Sequence, residues 1–207
     1  MIGIVDYGVG NLFSLNSSLK SLGVDCRITS DEKELLNADG IILPGVGAFR
    51  DAICKLKNTK LDRLIKDAAA DGKNILGICL GMQLLFEKSF EYGEYEGLGM
   101  IPGEIVPLTD YITKGYKVPH MGWNSLDISR SGGILAKTNN GDYVYYVHSY
   151  FAKTDAKYIT ATSQYGGINV TGAVQNGNVY GTQFHPEKSG KVGLKMLEQF
   201  VNICKEQ

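Results

Sequence analysis

Asn74-Ile75-Leu76-Gly77-Ile78-Cys79-Leu80-Gly81-Met82-Gln83-Leu84-Leu85-Phe86 sets a cysteine between an apolar run and a helix-compatible segment, with a glycine two residues away on either side. Residues 74–78 read as a buried strand and residues 82–86 as the opening of a helix. Gly77-Ile78-Cys79-Leu80-Gly81 between them has the pattern of a nucleophile elbow, with cysteine in the serine position. In this reading the glycines allow a tight, strained turn that lifts the side chain above the sheet. A helix starting there favours negative charge, and so a thiolate. Buried cysteine is common, so the pentapeptide alone suits a structural cysteine equally well.

Upstream of the elbow, short apolar runs alternate with helical patterns. Residues 2–6 read as a buried strand, 11–22 as a helix, 24–28 as a second strand, and Ile41-Ile42-Leu43 as the end of a third at Pro44. Leu61, Leu64, Ile65 and Ala68 share one helix face, which ends at Asp71-Gly72. Such alternation implies βαβ units and a parallel sheet. Downstream the character changes. Residues 100–183 are rich in β-branched and aromatic side chains, and Asn140-Gly141 and Asn176-Gly177 read as hairpin turns. A helix over 190–204 closes the chain. With no linker, repeat or low-complexity segment, residues 1–207 are expected to form a single domain.

Composition narrows the class. A chain of 207 residues, 43% hydrophobic and 21% charged, can bury a substantial core. A net charge of -1 offers no basic field for nucleic acid or a membrane surface. No apolar stretch nears the roughly 18 residues a bilayer span needs. The opening Met1-Ile2-Gly3-Ile4-Val5-Asp6 lacks the basic lead of a signal peptide. Cys26, Cys54, Cys79 and Cys204 are scattered and form no paired motif. They read as free thiols in a cytoplasmic protein.

Gln183-Phe184-His185-Pro186-Glu187 follows the β-like run Val179-Tyr180-Gly181-Thr182. In extended chain, residues i and i+2 point the same way, and Pro186 disfavours helix at His185. His185 and Glu187 can therefore lie side by side, the carboxylate orienting the imidazole. An ordinary cysteine is only a few per cent thiolate at neutral pH, and an adjacent imidazole corrects this and can protonate a leaving amine. Alone, the segment also suits a surface turn; with an elbow cysteine it makes a triad candidate. Acyl transfer further needs oxyanion donors. The N–H of Leu80 is one, and a peptide at Val46 or Gly47 in Pro44-Gly45-Val46-Gly47 is the expected second. Gly8-Val9-Gly10 hints at a dinucleotide loop, but Phe13 stands where a third glycine belongs. Asn11 reads instead as a helix N-cap. His120, His148 and His185 lack metal-ligand spacing, so no metal and no cofactor is expected.

Taken together, Gly77-Ile78-Cys79-Leu80-Gly81-Met82-Gln83 and Phe184-His185-Pro186-Glu187 make the whole chain resemble the class I, triad-type glutamine amidotransferases. Asp6-Tyr7-Gly8-Val9-Gly10-Asn11, Pro44-Gly45-Val46-Gly47-Ala48-Phe49, Pro119-His120-Met121-Gly122-Trp123-Asn124 and His185-Pro186-Glu187-Lys188-Ser189 resemble the glutaminase subunits of imidazole glycerol phosphate synthase. The resemblance implies an α/β, flavodoxin-like fold with a mostly parallel central sheet, flanking helices and a β-rich second half. It implies a catalytic triad of Cys79, His185 and Glu187, and glutamine held by Gly47, Gln83, Glu91, Ser149 and Tyr150. Ser149 and Tyr150 would act largely through backbone. Asn11, His120, Trp123, Tyr145 and Lys188 match positions facing a partner and the ammonia exit. That partner is a (β/α)8-barrel cyclase, joined in a heterodimer, which uses the ammonia to make imidazole glycerol phosphate and aminoimidazole carboxamide ribotide. A paralogue serving another acceptor synthase, a catalytically silent subunit and a cysteine peptidase on a similar sheet remain as alternatives.

Overall fold

A computed structural model describes residues 1–206. In chain order its first half carries β1 (Ile2–Val5), α1 (Leu12–Ser21), β2 (Cys26–Thr29), α2 (Glu32–Leu36), β3 (Gly40–Gly45), α3 (Phe49–Asn58), α4 (Leu61–Ala70), β4 (Asn74–Cys79) and α5 (Leu80–Leu84). The second half adds β5 (Phe86–Ser89), β6 (Tyr95–Glu96), β7 (Ile101–Pro107), β8 (His120–Ser125), β9 (Asp127–Ile128) and β10 (Tyr143–His148). It closes with β11 (Tyr150–Lys153), β12 (Ile159–Tyr165), β13 (Ile168–Asn176), β14 (Val179–Thr182) and α6 (Gly190–Lys205).

The central sheet has eight strands in the order β2-β1-β3-β4-β14-β13-β12-β9. From β2 to β14 every pairing is parallel; β14 to β9 pair antiparallel. Every residue of β1, β3, β4 and β14 is buried, as parallel strands with both faces covered require. Ile41, Leu43 and Ile75 pack with α3 and α4 on one face. Ile42, Leu76 and Ile78 pack with α1 and α6 on the other. The expected apolar face of α4 is the buried one, through Leu61, Leu64, Ile65 and Ala68. A four-stranded sheet, β11-β7-β5-β6, and a β10-β8 pair complete the structure.

Several expectations are corrected. The helix expected over 82–86 stops at Leu84, because the chain turns there into the second sheet, where Phe86 is buried in β5. Residues 22–24 close the end of α1, with Gly23 at φ +71°, so β2 begins at Cys26 rather than 24. β3 runs through Pro44 to Gly45 instead of ending at it. Its ladder to β1 stops at Ile42 while that to β4 continues to Gly45, so the missing proline N–H leaves no gap on the β1 side. Asn176-Gly177 does turn β13 into β14, pairing Asn176 with Val179. Asn140-Gly141 makes no tight hairpin: β10 pairs with β8, and β9 peels off between them to the large sheet. The Asn140 side chain instead accepts from the N–H of Ile128 at 2.7 Å.

Candidate active site

Cys79 is the last residue of β4 and stands at φ 55°, ψ -111°. A positive φ on a residue with a Cβ costs on the order of 1–3 kcal/mol and persists only where the surroundings enforce it. The flanking glycines serve a different end from the one expected. Neither Gly77 nor Gly81 has a positive φ. A Cβ on Gly81 would lie 1.8 Å from the carbonyl oxygen of Leu43, and one on Gly77 would lie 2.7 Å from the nitrogen of Met82. They let backbones touch, while Cys79 itself carries the strained turn. Leu80 opens α5 directly behind it.

β14 lies beside β4, pairing Thr182 with Ile78, and so delivers the following residues next to the cysteine. His185 Nδ1 and Glu187 Oε1 are 2.8 Å apart, with both side chains almost wholly buried. The His185 backbone is fixed as well. Its N–H donates to the Tyr145 carbonyl at 2.9 Å, and its carbonyl accepts from Ser189 Oγ at 2.6 Å. Ser189 Oγ also accepts from the N–H of Tyr145 at 3.0 Å, stitching β10 to this turn. Burial alone would lower the basicity of His185, yet the Cys79 sulfur and the Glu187 carboxylate outweigh it and lift the ring to about 9. Among the described residues its Nε2 and the second Glu187 oxygen have no hydrogen-bond partner. An imidazolium held by a carboxylate beside a strained thiol can stabilise a thiolate and hand a proton to a leaving group.

Above Cys79 opens a cavity of about 420 Å³. Val46, Gly47, Leu80, Gln83, Glu91, Ser149 and Tyr150 all line it together with Cys79 and His185. Gln83 gives both amide hydrogens away, to the Tyr150 carbonyl and to Gln183 Oε1, each at 3.1 Å. What it can offer a ligand is its oxygen, an acceptor. A Glu91 oxygen caps the otherwise uncapped start of α3 by accepting from the N–H of Phe49. Burial raises the Glu91 carboxyl above the usual range, against the pull of that N–H. In the loop after β3, Gly47 uses its freedom at φ +95°. Gly45 is a contact glycine, since a Cβ there would meet Leu80 and Tyr7 at 2.9 Å. Tyr7 donates to the Pro44 carbonyl at 2.8 Å and braces the base of the loop.

The five residues expected at a partner face divide. Trp123 is 56% exposed and meets Tyr145 edge-to-face at 6.1 Å, and Lys188 is exposed. Asn11 is half-buried and does cap α1, its side chain accepting from the N–H of Ser14. His120, by contrast, turns inward and is only 3% exposed. Four residues escaped the sequence reading: Tyr7, His148, Gln183 and Ser189. Gln183 Nε2 points at the Cys79 sulfur from 3.9 Å. Gln183 lies one residue past β14, and the pairing of that strand with β4 is what brings it to the cysteine.

Buried His148 and His120 make a prediction of their own. Burial first, then its neighbours His120 and His185, takes His148 down to about 3 against the pull of the Tyr150 carbonyl. Burial takes His120 down to about 4. An unfolded histidine protonates near 6.5. As pH falls from about 6.5 toward 4, the unfolded chain takes up protons that the folded one refuses. The stability these rings contribute is thus complete above the window and lost within it. The urea midpoint is expected to fall steadily across that range, with a limiting slope of about 1.4 kcal/mol per pH unit for each ring that refuses its proton. A midpoint flat from pH 6.5 to 4 would mean that the folded protein carries the protons.

Residues 3–204 match the family model of the glutamine amidotransferase class-I domain. The chain belongs to the class-I glutamine amidotransferase family. Within the family it groups with the imidazole glycerol phosphate synthase subunits HisH. It is 50% identical to that of Listeria monocytogenes serotype 4a (strain HCC23) over 203 residues, covering 98% of this chain and 96% of the relative. It is 51% identical to that of Caldanaerobacter subterraneus subsp. tengcongensis over 206 residues, with 99% of each covered. A crystal structure of a glutamine amidotransferase superposes with a TM-score of 0.76 at 15% identity, covering 99% and 98% of the two chains. The structure of PurLQS from Thermotoga maritima gives 0.76 at 21% identity, covering 98% and 97%. At such identities these two speak for the fold alone, which is that of the class-I amidotransferases. The HisH relatives carry more: this amidotransferase is a glutaminase subunit of the histidine-pathway type.

Proposed function

We propose that Cys79, His185 and Glu187 hydrolyse the side-chain amide of glutamine and that the ammonia passes directly to a barrel cyclase subunit, without release to bulk water. The observation carrying this reading is the buried His185–Glu187 pair beside Cys79 at the foot of the cavity. The Cys79 thiolate adds to the amide carbon, and the oxyanion is held by the N–H of Leu80 and a peptide of the Val46–Gly47 loop. His185 gives its proton to the amide nitrogen, the C–N bond breaks, and ammonia leaves a glutamyl thioester on Cys79. His185 then takes a proton from water, whose oxygen attacks the thioester. The C–S bond breaks, glutamate leaves with its new carboxyl proton lost to solvent, and the thiolate and imidazolium are regenerated. Glu91, Gln83 and the backbone at Ser149 and Tyr150 hold the amino-acid end. The Gln83 oxygen suits an ammonium or amide donor, and the Glu91 carboxylate suits an ammonium.

Ammonia in neutral water becomes ammonium, which is no nucleophile, so a closed route to the acceptor is chemically required. The names of the HisH relatives support a synthase partner. Exposed Trp123 and Lys188, with Tyr145 and Asn11 at the same end, suit its docking surface. We read the chain as one domain that works in the cytoplasm as half of a heterodimer.

The deciding experiment compares glutamine hydrolysis by the purified chain with that of the complex loaded with the cyclase's acceptor. Gly47 stands at φ +95°, so the peptide beside it can turn more readily than one between ordinary residues. Withholding one oxyanion donor costs about 10² to 10³ in rate. The complex is expected to be faster by that factor, mainly in kcat, because the oxyanion exists only after binding. The partner must favour the donor-in state by a comparable free energy. Lys188→Ala should blunt the activation more than it lowers stability. Equal rates for chain and loaded complex would sink the proposal.

A further inference from the structure

The mechanism leaves two buried imidazoles unused, and they form part of a continuous hydrogen-bond line into the cavity. Asn124 Nδ2 lies 3.2 Å from His120 Nε2, His120 Nδ1 lies 3.0 Å from His148 Nε2, and His148 Nδ1 lies 2.8 Å from the Tyr150 carbonyl. Every donor and acceptor in the line is set by its two ends. A carbonyl only accepts, so His148 carries its hydrogen on Nδ1 and its Nε2 must accept. His120 must then donate from Nδ1, which leaves its Nε2 as an acceptor. Asn124 independently demands the same. Its oxygen accepts from the N–H of Ser125 at 2.8 Å and its amide nitrogen donates to the Gln164 carbonyl at 2.9 Å. The group it turns to His120 is therefore N–H. Both ends impose one direction.

The His120 ring has no room to turn. It is stacked between Tyr146 at 4.6 Å and Tyr165 at 3.9 Å, centroid to centroid, at angles of 22° and 23°. Tyr146 is itself pinned through its hydroxyl to Ser163 Oγ at 2.8 Å. At the far end, the Tyr150 carbonyl receives His148 and also Gln83, which continues through Gln183 to the Cys79 sulfur.

We propose that His120 is a positioning residue for glutamine binding, acting through His148 to fix the Tyr150 peptide and, with it, the Gln83 amide in the cavity. The inference rests on the reading of that cavity as the glutamine site. It also gives the inward turn of His120 a purpose. On β8 the neighbours Met121 and Trp123 are 64% and 56% exposed, so His120 and Asn124 link the back of an exposed face to the substrate pocket.

Two measurements test this. In a long-range ¹⁵N–¹H spectrum of the histidine-labelled chain near pH 7, His120 and His148 should both appear as neutral Nδ1–H tautomers. Either ring found with its hydrogen on Nε2 overturns the line. Glutamine affinity is then measured by calorimetry on the chain carrying Cys79→Ala, so that the ligand is not consumed. His120→Phe keeps the ring stack and deletes the donor, and should weaken binding about tenfold, the size of one oriented hydrogen bond. His120→Asn keeps a donor at the Nδ1 position but loses the stack, and should stay within about threefold. A packing role alone predicts the opposite order, and that order would overturn the proposal. Should the Phe variant not fold, Asn124→Asp replaces it. The carboxylate would draw the His120 hydrogen to Nε2, set two lone pairs face to face at His148, and weaken glutamine several-fold. Gln83→Ala separates the two readings. If it weakens binding while the His120 and Asn124 variants do not, the relay alone is wrong. If it too leaves affinity unchanged, the cavity is not the glutamine site and this inference falls with that reading.

Discussion

Cys79→Ala is expected to reduce glutamine hydrolysis by about 10⁶, the loss seen when the nucleophile of a comparable triad is removed. The fold should survive. Cys79 is buried and its Cβ already occupies the strained φ of 55°, so alanine inherits the conformation and leaves only a sulfur-sized gap. The gap and the lost contacts should lower stability by about 1 kcal/mol. Synthesis from added ammonium salts at high pH should persist in the complex, because the acceptor chemistry belongs to the partner. Glutamate release and ammonia-driven synthesis, measured side by side, read both halves. Substantial glutaminase activity in a well-folded alanine variant would remove Cys79 from its role.

The next largest effects concern the pair behind the nucleophile. His185→Ala removes the proton carrier and should cost about as much as losing the thiol, since triad members act as a unit. Glu187→Gln should cost less, between about 10² and 10⁴, because an amide oxygen can still accept from Nδ1 while the charge is gone. Direction and pH give a second readout. The Glu187 carboxylate helps lift His185 to about 9, so neutralising it lets the imidazolium lose its proton at lower pH. The alkaline limb of kcat/KM should shift downward in the Gln variant, while the thermal midpoint changes little. If Glu187→Gln proved as damaging as His185→Ala, or left both rate and alkaline limb untouched, the carboxylate would not be acting on the imidazole.

The parts of this site legible in the sequence are those whose chemistry fixes a local spacing. Cys79 lies between a strand and a helix start, a relation that survives any arrangement of the rest. His185 and Glu187 do stand side by side, but they meet through a 3-10 turn over Pro186–Lys188 and not along the extended chain the spacing suggests. The parallel half of the sheet was legible for a similar reason, since uninterrupted apolar runs between helices leave little choice. What escaped depends on distant partners. Nothing near Gly81 announces that the carbonyl of Leu43 will pass where a Cβ would be. Nothing near Asn140-Gly141 reveals that β9 will leave for another sheet. The burial of His120 lay closer to reach. Alternation along β8 puts Met121 and Trp123 on one side and His120 on the other, but the strand bounds were needed before parity could be counted.

β14 inserts beside β4, although about a hundred residues separate them and β3 already covers the other edge of β4. During translation, then, the thiol emerges long before its base. A nascent chain synthesised through β13 has the elbow sequence, and β3 to pair with β4 as far as Cys79, but no imidazole beside the thiol. Pairing across such a sequence distance is slow to form and follows the local elements. Glutamine is therefore safe from every incomplete chain on the ribosome, and hydrolytic competence arrives with the last strand to dock. A stop or cut placed before His185 should silence the enzyme as completely as loss of the cysteine.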